Sequence, residues 1–572
     1  MNQTLMVFFG VIIAFLMIAA ISIAGGRRRH EEEVRRELEE NWGRKGRYRF
    51  TRRQLESIAR ILDDTNGGRP TVYDVDDVTW HDLDMDRLYR DINTTRSSCG
   101  DCLLYERLRR PSFSEAELKA FDETAVWFDE NEALRRRVQL ILSEVGRDED
   151  LSVAEALSGL ENGHPVGGSR FVIPALLTLA DLIFFFFCPL YAVLLFIPLS
   201  AVNIVLFLKL KDTTEDVLTG FRAILRMMTA VDELETLERI LKGKNRTDRV
   251  TACIRRLVKA RDELSAFRRG AFLVTGRNVY AEGPGQAILQ YIKLFFHVDL
   301  IKFDAMLREL ALHKEEPVTL MRELGYLDTA CAVASYRRTL PVWCRPSFSK
   351  EETASLTVEG MVHPLINAPV ENSAILEGGN LITGSNASGK STFLRNTAIC
   401  AVMAEALSTV PARRYEASYF RVMSSMALAD NLKGGESYYV VEIRSLKRIL
   451  DAAKTEVPIL TLVDEVLRGT NTIERIAASA QILRSLPRPH VVSLAATHDI
   501  ELTFMLEGLY RNYHFEERMG EEDVVFDYRL KEGRASTRNA IRLLKSFDYD
   551  ETVIEKAVAS AAHFEETGEW KL

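Results

Sequence analysis

Residues Leu381–Asn396 read LITGSNASGKSTFLRN, and this stretch decides the fold of the last third of the chain. An apolar run, Leu381–Ile382, leads into GSNASGKS, which fits the spacing Gly-x-x-x-x-Gly-Lys-Ser/Thr with Gly384, Gly389, Lys390 and Ser391. Glycine at both ends lets the backbone turn until successive N–H groups face one point. A helix starting near Thr392 adds its positive end there, so the segment suits a phosphate chain. Lys390 neutralises phosphate oxygens and the Ser391 hydroxyl suits Mg²⁺. The expected nucleotide set is Gly384, Ser385, Asn386, Ala387, Ser388, Gly389, Lys390, Ser391 and Thr392, with ATP and Mg²⁺ as cofactors.

Downstream, PILTLVDEVLRGTNT is a hydrophobic strand ending in adjacent carboxylates. Asp464 is expected to join Ser391 as a metal ligand, and Glu465 to orient or deprotonate a water. HVVSLAATHD is a second buried strand that delivers Thr497 and His498 to the same sheet edge. His498 is expected to sense the terminal phosphate, with Glu465 and Lys390 completing the catalytic set. Between these lies ADNLKGGESYYVVEI, where Gly434, Gly435 and Ser437 precede a helix-like run. That makes a second phosphate-friendly helix start. One nucleotide has little use for two such starts in one subunit, so Ser437 is expected to close in trans over the ATP of a second copy, in a homodimer. An ordinary capped helix is the plainer reading of the same residues.

These words, in this order, resemble the ATPase domain of the MutS family of DNA mismatch repair proteins, a branch of the ABC-type ATPases. The resemblance also takes in GMVHPLI at 360–366, VPARRYEA at 410–417, DNLKGGESYYVVE at 430–442 and DEVLRGTNT at 464–472. It spans about 355–555 closely, and about 75–170 and 212–350 more loosely, where INTTRSSCGDCLLYERLRRPSFSEAELKAFDETAVWFDEN at 92–131 is similar to the start of the family's helical core and levers. It implies ATP hydrolysis, dimerisation and levers that act on DNA. Four departures stand out. The place of the mismatch-reading wedge is taken by an apolar segment and a short charged stretch, so mismatch specificity is not carried over, and no Smr-type nuclease tail follows Leu572. After the carboxylates, Leu467-Arg468-Gly469-Thr470-Asn471-Thr472 stands where the family usually has Gly-Arg-Gly-Thr-Ser-Thr. The family's Ser-Tyr-Gly is replaced around Ser536–Asn539.

The rest of the chain sets this domain in an unusual frame. With 572 residues, a net charge of −8 and 27% charged residues, no global basic field advertises nucleic acid. Arg135–Arg137, and Arg255, Arg256, Lys259 and Arg261, could meet phosphates locally, although such runs are usually solvated faces. Seven cysteines without framework spacing fit a reducing compartment, and Cys99 and Cys102 form a CxxC with no second pair for a zinc site. They read as buried thiols or a helix-start turn around Gly100.

Leu5–Ala24 is uncharged and is followed by Arg27–Arg29. About 20 residues at about 1.5 Å each reach across a bilayer core, and the arginines put the following chain in the cytoplasm. A cleaved signal peptide is the rival reading. A second apolar block, Phe171–Leu208, is bounded by Arg170, Lys209 and Lys211 and broken near Pro189, which predicts a transmembrane hairpin with both ends cytoplasmic. Asp181 inside it is either functional or satisfied by a neighbouring helix. Amphipathic helical spacing fills 115–142 and 219–241, and Ser114/Glu117 and Ser349/Glu352 each resemble a capping box within a repeated RPSFS.

The expected fold is therefore mixed: a transmembrane anchor at 1–26, a cytoplasmic helical region at 27–170, a transmembrane hairpin at 171–209, an all-α lever region at 210–350 and an α/β P-loop ATPase domain of ABC type at 351–572. The expected function is a membrane-tethered ATPase at the inner or plasma membrane, with its ATPase domain cytoplasmic and its levers on DNA. An ATP-gated membrane scaffold with a protein or lipid partner is the alternative.

Overall fold

The computed structural model describes residues 29, 31–64, 71, 73–148, 151–161, 169–211, 215–240, 248–275, 292–385, 388–426, 438–467, 471–519, 524–535 and 549–570. The apolar run Leu5–Ala24, Asn386, Ala387, Ser437 and Ser536–Asn539 lie outside them. The chain forms two compact units: Met1–Arg69, Ile92–Glu106 and Glu123–Tyr336 make one, and Pro70–Asp91, Arg107–Asp122 and Arg337–Leu572 the other.

The first unit is helical. Its principal elements are residues 98–106 of α1 (Ser98–Arg109), residues 123–130 of α2 (Glu115–Glu130), α3 (Glu132–Val145), α4 (Val153–Glu161), α5 (Ser169–Phe184), α6 (Pro189–Lys211), α7 (Glu215–Ile240), α8 (Asp248–Glu263), α9 (Val298–Leu312) and all but the last residue of α10 (Glu315–Arg337). In α7 the buried residues Ile224, Met227, Met228, Val231 and Leu234 recur at helical spacing, and the stripe they make packs on α3, α4 and α8. The crossing of α1 and α10 explains the CxxC. A Cβ on Gly325 would stand 2.5 Å from the Cys99 carbonyl oxygen, and one on Gly100 2.5 Å from Asp328. These two helices therefore touch backbone to backbone. Cys99 and Cys102 are fully buried thiols, and burial pushes the Cys102 thiol up to about 12.

The apolar block forms a helical hairpin, α5 and α6 packed on each other. Of the described residues, only Pro189–Leu206 within α6 makes a helix long and apolar enough to cross a membrane. The expectation of two crossing arms is thus not met by α5, whose 16 residues reach about 24 Å at about 1.5 Å each.

The second unit holds two sheets among its described residues, from β1 (Ser347–Phe348), β2 (Ser355–Met361), β3 (Asn372–Glu377), β4 (Gly379–Thr383), β5 (Arg414–Ala417), β6 (Arg421–Ser425), β7 (Ile459–Asp464), β8 (Val491–Thr497), β9 (Tyr510–Met519) and β10 (Val524–Glu532). The six-stranded sheet has the order β10-β9-β4-β8-β7-β6. It is parallel except for the β9/β10 pair. β4, β7 and β8 are buried along their whole length, as central strands covered on both faces must be. The four-stranded sheet, β1-β5-β2-β3, is mixed and is additional to the parallel sheet that the sequence predicts. Ser349 starts no helix: its chain continues from β1 towards β2, and its hydroxyl accepts the Glu351 N–H at 3.1 Å. The capping-box reading at 349–352 is corrected accordingly, whereas Ser114 does accept from Glu117 N at 3.4 Å at the start of α2.

The helices α11 (Lys390–Leu407), α12 (Tyr438–Ala452), α13 (Thr472–Arg484) and α14 (Glu551–Thr567) complete this unit. A short helix, Asp77–Asp82, covers the sheet edge at β6: Asp82 accepts from Ser424 Oγ at 2.7 Å and Met426 N at 2.9 Å, and Thr79 Oγ1 from Ser424 N at 3.1 Å. At the far end of α11, Arg107 donates to the Ala406 carbonyl at 2.9 Å, and Arg337 to Ser408 O at 3.1 Å and Thr409 Oγ1 at 2.8 Å. Both arginines satisfy carbonyls that a helix C-terminus leaves unpaired.

Candidate functional site

Parallel strands deliver their C-terminal ends to one edge, so the loops after β4, β7 and β8 meet. After β4 the chain turns through Gly384 at φ +149° and Gly389 at φ +110°, and α11 begins at Lys390. Both glycines are required. A Cβ on Gly384 would lie 2.8 Å from Ser388 Oγ and 3.0 Å from the Phe515 carbonyl, and one on Gly389 3.3 Å from the Tyr528 ring. The Ser388 hydroxyl is buried with no hydrogen-bond partner among the described residues, which suits a loop built to receive an acceptor-rich group. Lys390 is nearly buried and folds back, its Nζ donating to the carbonyls of Gly384 at 2.8 Å and Ser385 at 2.7 Å.

Asp464 ends β7, nearly buried. Glu465 follows at φ +54°, its N–H bonded to Ala496 O of β8 at 2.9 Å. His498 Nε2 lies 2.6 Å from Glu465 Oε1 and 3.5 Å from Lys390 Nζ. One ring nitrogen cannot both donate to a carboxylate and accept from an ammonium, and the shorter contact assigns the proton: Nε2–H donates to Glu465. Asp499 pairs with Arg475 of α13 through two bonds, at 2.6 and 3.1 Å. Glu465, Val466, Arg475, Thr497, His498 and Asp499 line a cavity of about 220 Å³. Ser391 and Asp464 offer a hydroxyl and a carboxylate, the oxygen set a hard divalent cation takes.

A second cavity, of about 390 Å³, adjoins the start of α11 and includes His363, Ile366, Thr392, Phe393, Phe515 and Tyr528 in its lining. Tyr528 stands at φ +53° in a break of the β9/β10 register between Phe526 and Leu530. Asn372 bridges that break, donating to Tyr528 O at 3.0 Å and accepting from Leu530 N at 2.7 Å. A bulge re-aims the side chain it carries, and here it turns a half-exposed ring to the mouth of the loop. His363 and Ile366 belong to the GMVHPLI word. Tyr528, Phe515 and Arg475 carried no sequence signal, because a bulge, a neighbouring strand and a partner across a turn bring them in.

Gly384, Ser385, Ser388, Gly389, Lys390, Glu465 and His498 thus gather at one sheet edge, with Ser391 and Thr392 opening α11 and Asp464 closing β7. Leu467, the departure noted above, sits at φ +59° with its N–H bonded to Glu442 Oε1 at 2.6 Å.

Comparison with known proteins agrees with this geometry. Residues 380–565 match the family model for MutS domain V. A DNA mismatch repair protein MutS from Natronomonas pharaonis is 31% identical over 268 residues, 45% of this chain and 30% of that protein. A DNA mismatch repair protein MSH3 from Phaeosphaeria nodorum is 30% identical over 281 residues, 46% of this chain and 25% of that protein. The chain spans less than a third of the length of either relative.

Proposed function

The chain belongs to the MutS family through its domain V, residues 380–565, and from that premise we propose an Mg²⁺-dependent ATPase that works as a homodimer and couples nucleotide state to its helical levers. The observation that carries this reading is the meeting of the glycine-bounded loop, Lys390 and the Glu465–His498 pair at one sheet edge. The triphosphate lies on the N–H groups of the loop and the start of α11. Lys390 leaves the Gly384 and Ser385 carbonyls for phosphate oxygens. Ser391 and Asp464 would hold Mg²⁺, which when bound neutralises charge on the transferring phosphoryl group. Glu465 takes the proton of the attacking water, and His498 holds that carboxylate in place. The cavity at Tyr528 takes the base. Ser437 of a second copy closes the site.

The levers act on DNA, a reading supported by the names of both relatives; binding should then weaken steeply with salt through phosphate contacts. The chain is held at the inner or plasma membrane with domain V in the cytoplasm. This is supported by the hairpin, where Thr178, Asp181 and Asn203 are buried while Ile183, Phe186, Leu190 and Leu194 face outward. The same hairpin favours a second reading, an ATP-gated membrane scaffold that binds a protein or lipid and no nucleic acid.

The test is ATP turnover by Lys390→Ala and Ser437→Ala subunits, each alone and mixed. Each alone should lose about a hundredfold or more in kcat, and mixed dimers should recover part of it. Absence of recovery removes the trans serine; wild-type protein that turns over no ATP removes the ATPase. Salt-insensitive or absent DNA binding favours the scaffold.

A further inference from the structure

We propose that Glu442 is a positioning residue for ATP hydrolysis in this chain: its carboxylate holds Leu467 in a left-handed conformation and thereby ties α12, the helix that starts directly after Ser437, to the loop that carries Glu465. This rests on the ATPase reading above.

Three consecutive residues after Asp464 are each anchored by a different element. Glu465 N–H bonds to Ala496 O of β8 at 2.9 Å, Val466 O accepts from Ser479 Oγ of α13 at 3.2 Å, and Leu467 N–H bonds to Glu442 Oε1 of α12 at 2.6 Å. Two of the three, Glu465 at φ +54° and Leu467 at φ +59°, occupy a region that side-chain-bearing residues rarely adopt. Such a loop keeps its shape only where its surroundings over-determine it. At 467 the surroundings are a buried carboxylate and an apolar cluster that includes Leu446, Ile449, Leu483 and Leu486. A buried carboxylate accepting an amide N–H is a strong, directional bond. It is the one of the three anchors that leads to α12. A change at the start of α12, where the second copy's nucleotide is proposed to sit, therefore reaches the water-activating carboxylate through Glu442, Leu467 and two peptide units.

Glycine would hold the same conformation unaided, and that makes the anchor testable by rescue. In the full-length protein, Glu442→Ala should lower kcat at saturating ATP by about tenfold or more, as small misplacements of a reacting group do. Affinity for a fluorescent ATP analogue should stay within about threefold, because the loop 384–391 is untouched. Glu442→Gln, whose amide oxygen still accepts, should stay near wild type. Adding Leu467→Gly to Glu442→Ala should restore most of the lost turnover. Equal kcat in wild type and Glu442→Ala overturns the proposal, and so does a double variant no faster than Glu442→Ala. Hydrogen exchange at the Leu467 amide decides the anchor by itself if Glu442→Ala fails to fold or if the wild type binds nucleotide without hydrolysing it. Protection comparable to β7 supports the anchor, and exchange at the rate of an open loop overturns it.

Discussion

Tyr528 shows what a single residue decides at this site. An aromatic side chain at φ +53° carries a conformational cost of about 1–2 kcal/mol, and the two Asn372 bonds across the bulge offset it. The ring ends up half exposed at the mouth of a cavity that Phe393 and Phe515 also line. Stacking a base on such a ring contributes about 1–3 kcal/mol. Tyr528→Ala should therefore weaken binding of a fluorescent ATP analogue by about tenfold, measured by titration, while Tyr528→Phe should bind as wild type does. Equal affinity of the alanine variant would move the base elsewhere. The glycines, Lys390 and the carboxylates were legible in the sequence because their spacing is itself the chemistry. Tyr528 was not, since nothing local marks a register break in β10.

At the scale of elements, the cap of α1 is held from far along the chain. Ser97 Oγ accepts from Gly100 N at 3.2 Å at the start of α1, and Asp328 of α10 fixes that cap, accepting from Arg96 N at 3.0 Å, Ser97 N at 2.8 Å and Ser97 Oγ at 2.6 Å. Burial raises its carboxyl from 3.8 to about 6, against the lowering effect of those bonds. A raised carboxyl binds its proton more tightly folded than unfolded. Its contribution is therefore complete below about pH 3.8 and is lost as pH rises through about 6, amounting to about 3 kcal/mol. Urea unfolding of wild type and Asp328→Asn should show this difference: the stability gap between them should change by that order from pH 4 to pH 6.5, wild type losing relative to the variant. A constant gap would show that Asp328 does not titrate on folding. The pairing itself could not be read from sequence, because 231 positions separate Ser97 from Asp328.

At the scale of the whole molecule, the hairpin is the feature on which the proposed membrane location rests. Phe186 and Phe187 are 82% and 77% exposed, whereas Thr178, Asp181 and Asn203 are 1%, 4% and 0% exposed. Asn203 donates to Thr178 at 3.0 Å, and His297 Nε2 lies 2.9 Å from Asn203 Oδ1. Thr178, Asn203 and His297 bond to one another inside while Asp181 Oδ1 is buried with no partner among the described residues; paired polar side chains inside with apolar ones outside suit a hydrocarbon solvent. A tryptophan placed at Leu194 should emit at short wavelength in lipid vesicles and be quenched by brominated acyl chains; emission unaffected by bromolipid would place this face against water or protein. The four-stranded sheet is likewise a property of the whole fold, for β5 inserts between β1 and β2, two strands that precede it in the chain.

The sequence by itself determined the phosphate loop, the strand-borne carboxylates, the parallel sheet and the apolar hairpin, because each is written in contiguous residues whose spacing or hydropathy carries its own physics. Tertiary structure alone decided which side chains stand beside that chemistry: Tyr528 through a bulge, Arg475 through α13, Glu442 through a hydrogen bond to Leu467. It also decided that residues 70–91 and 107–122 join the unit that holds the loop. Those outcomes depend on close approach between distant segments, which no local pattern encodes.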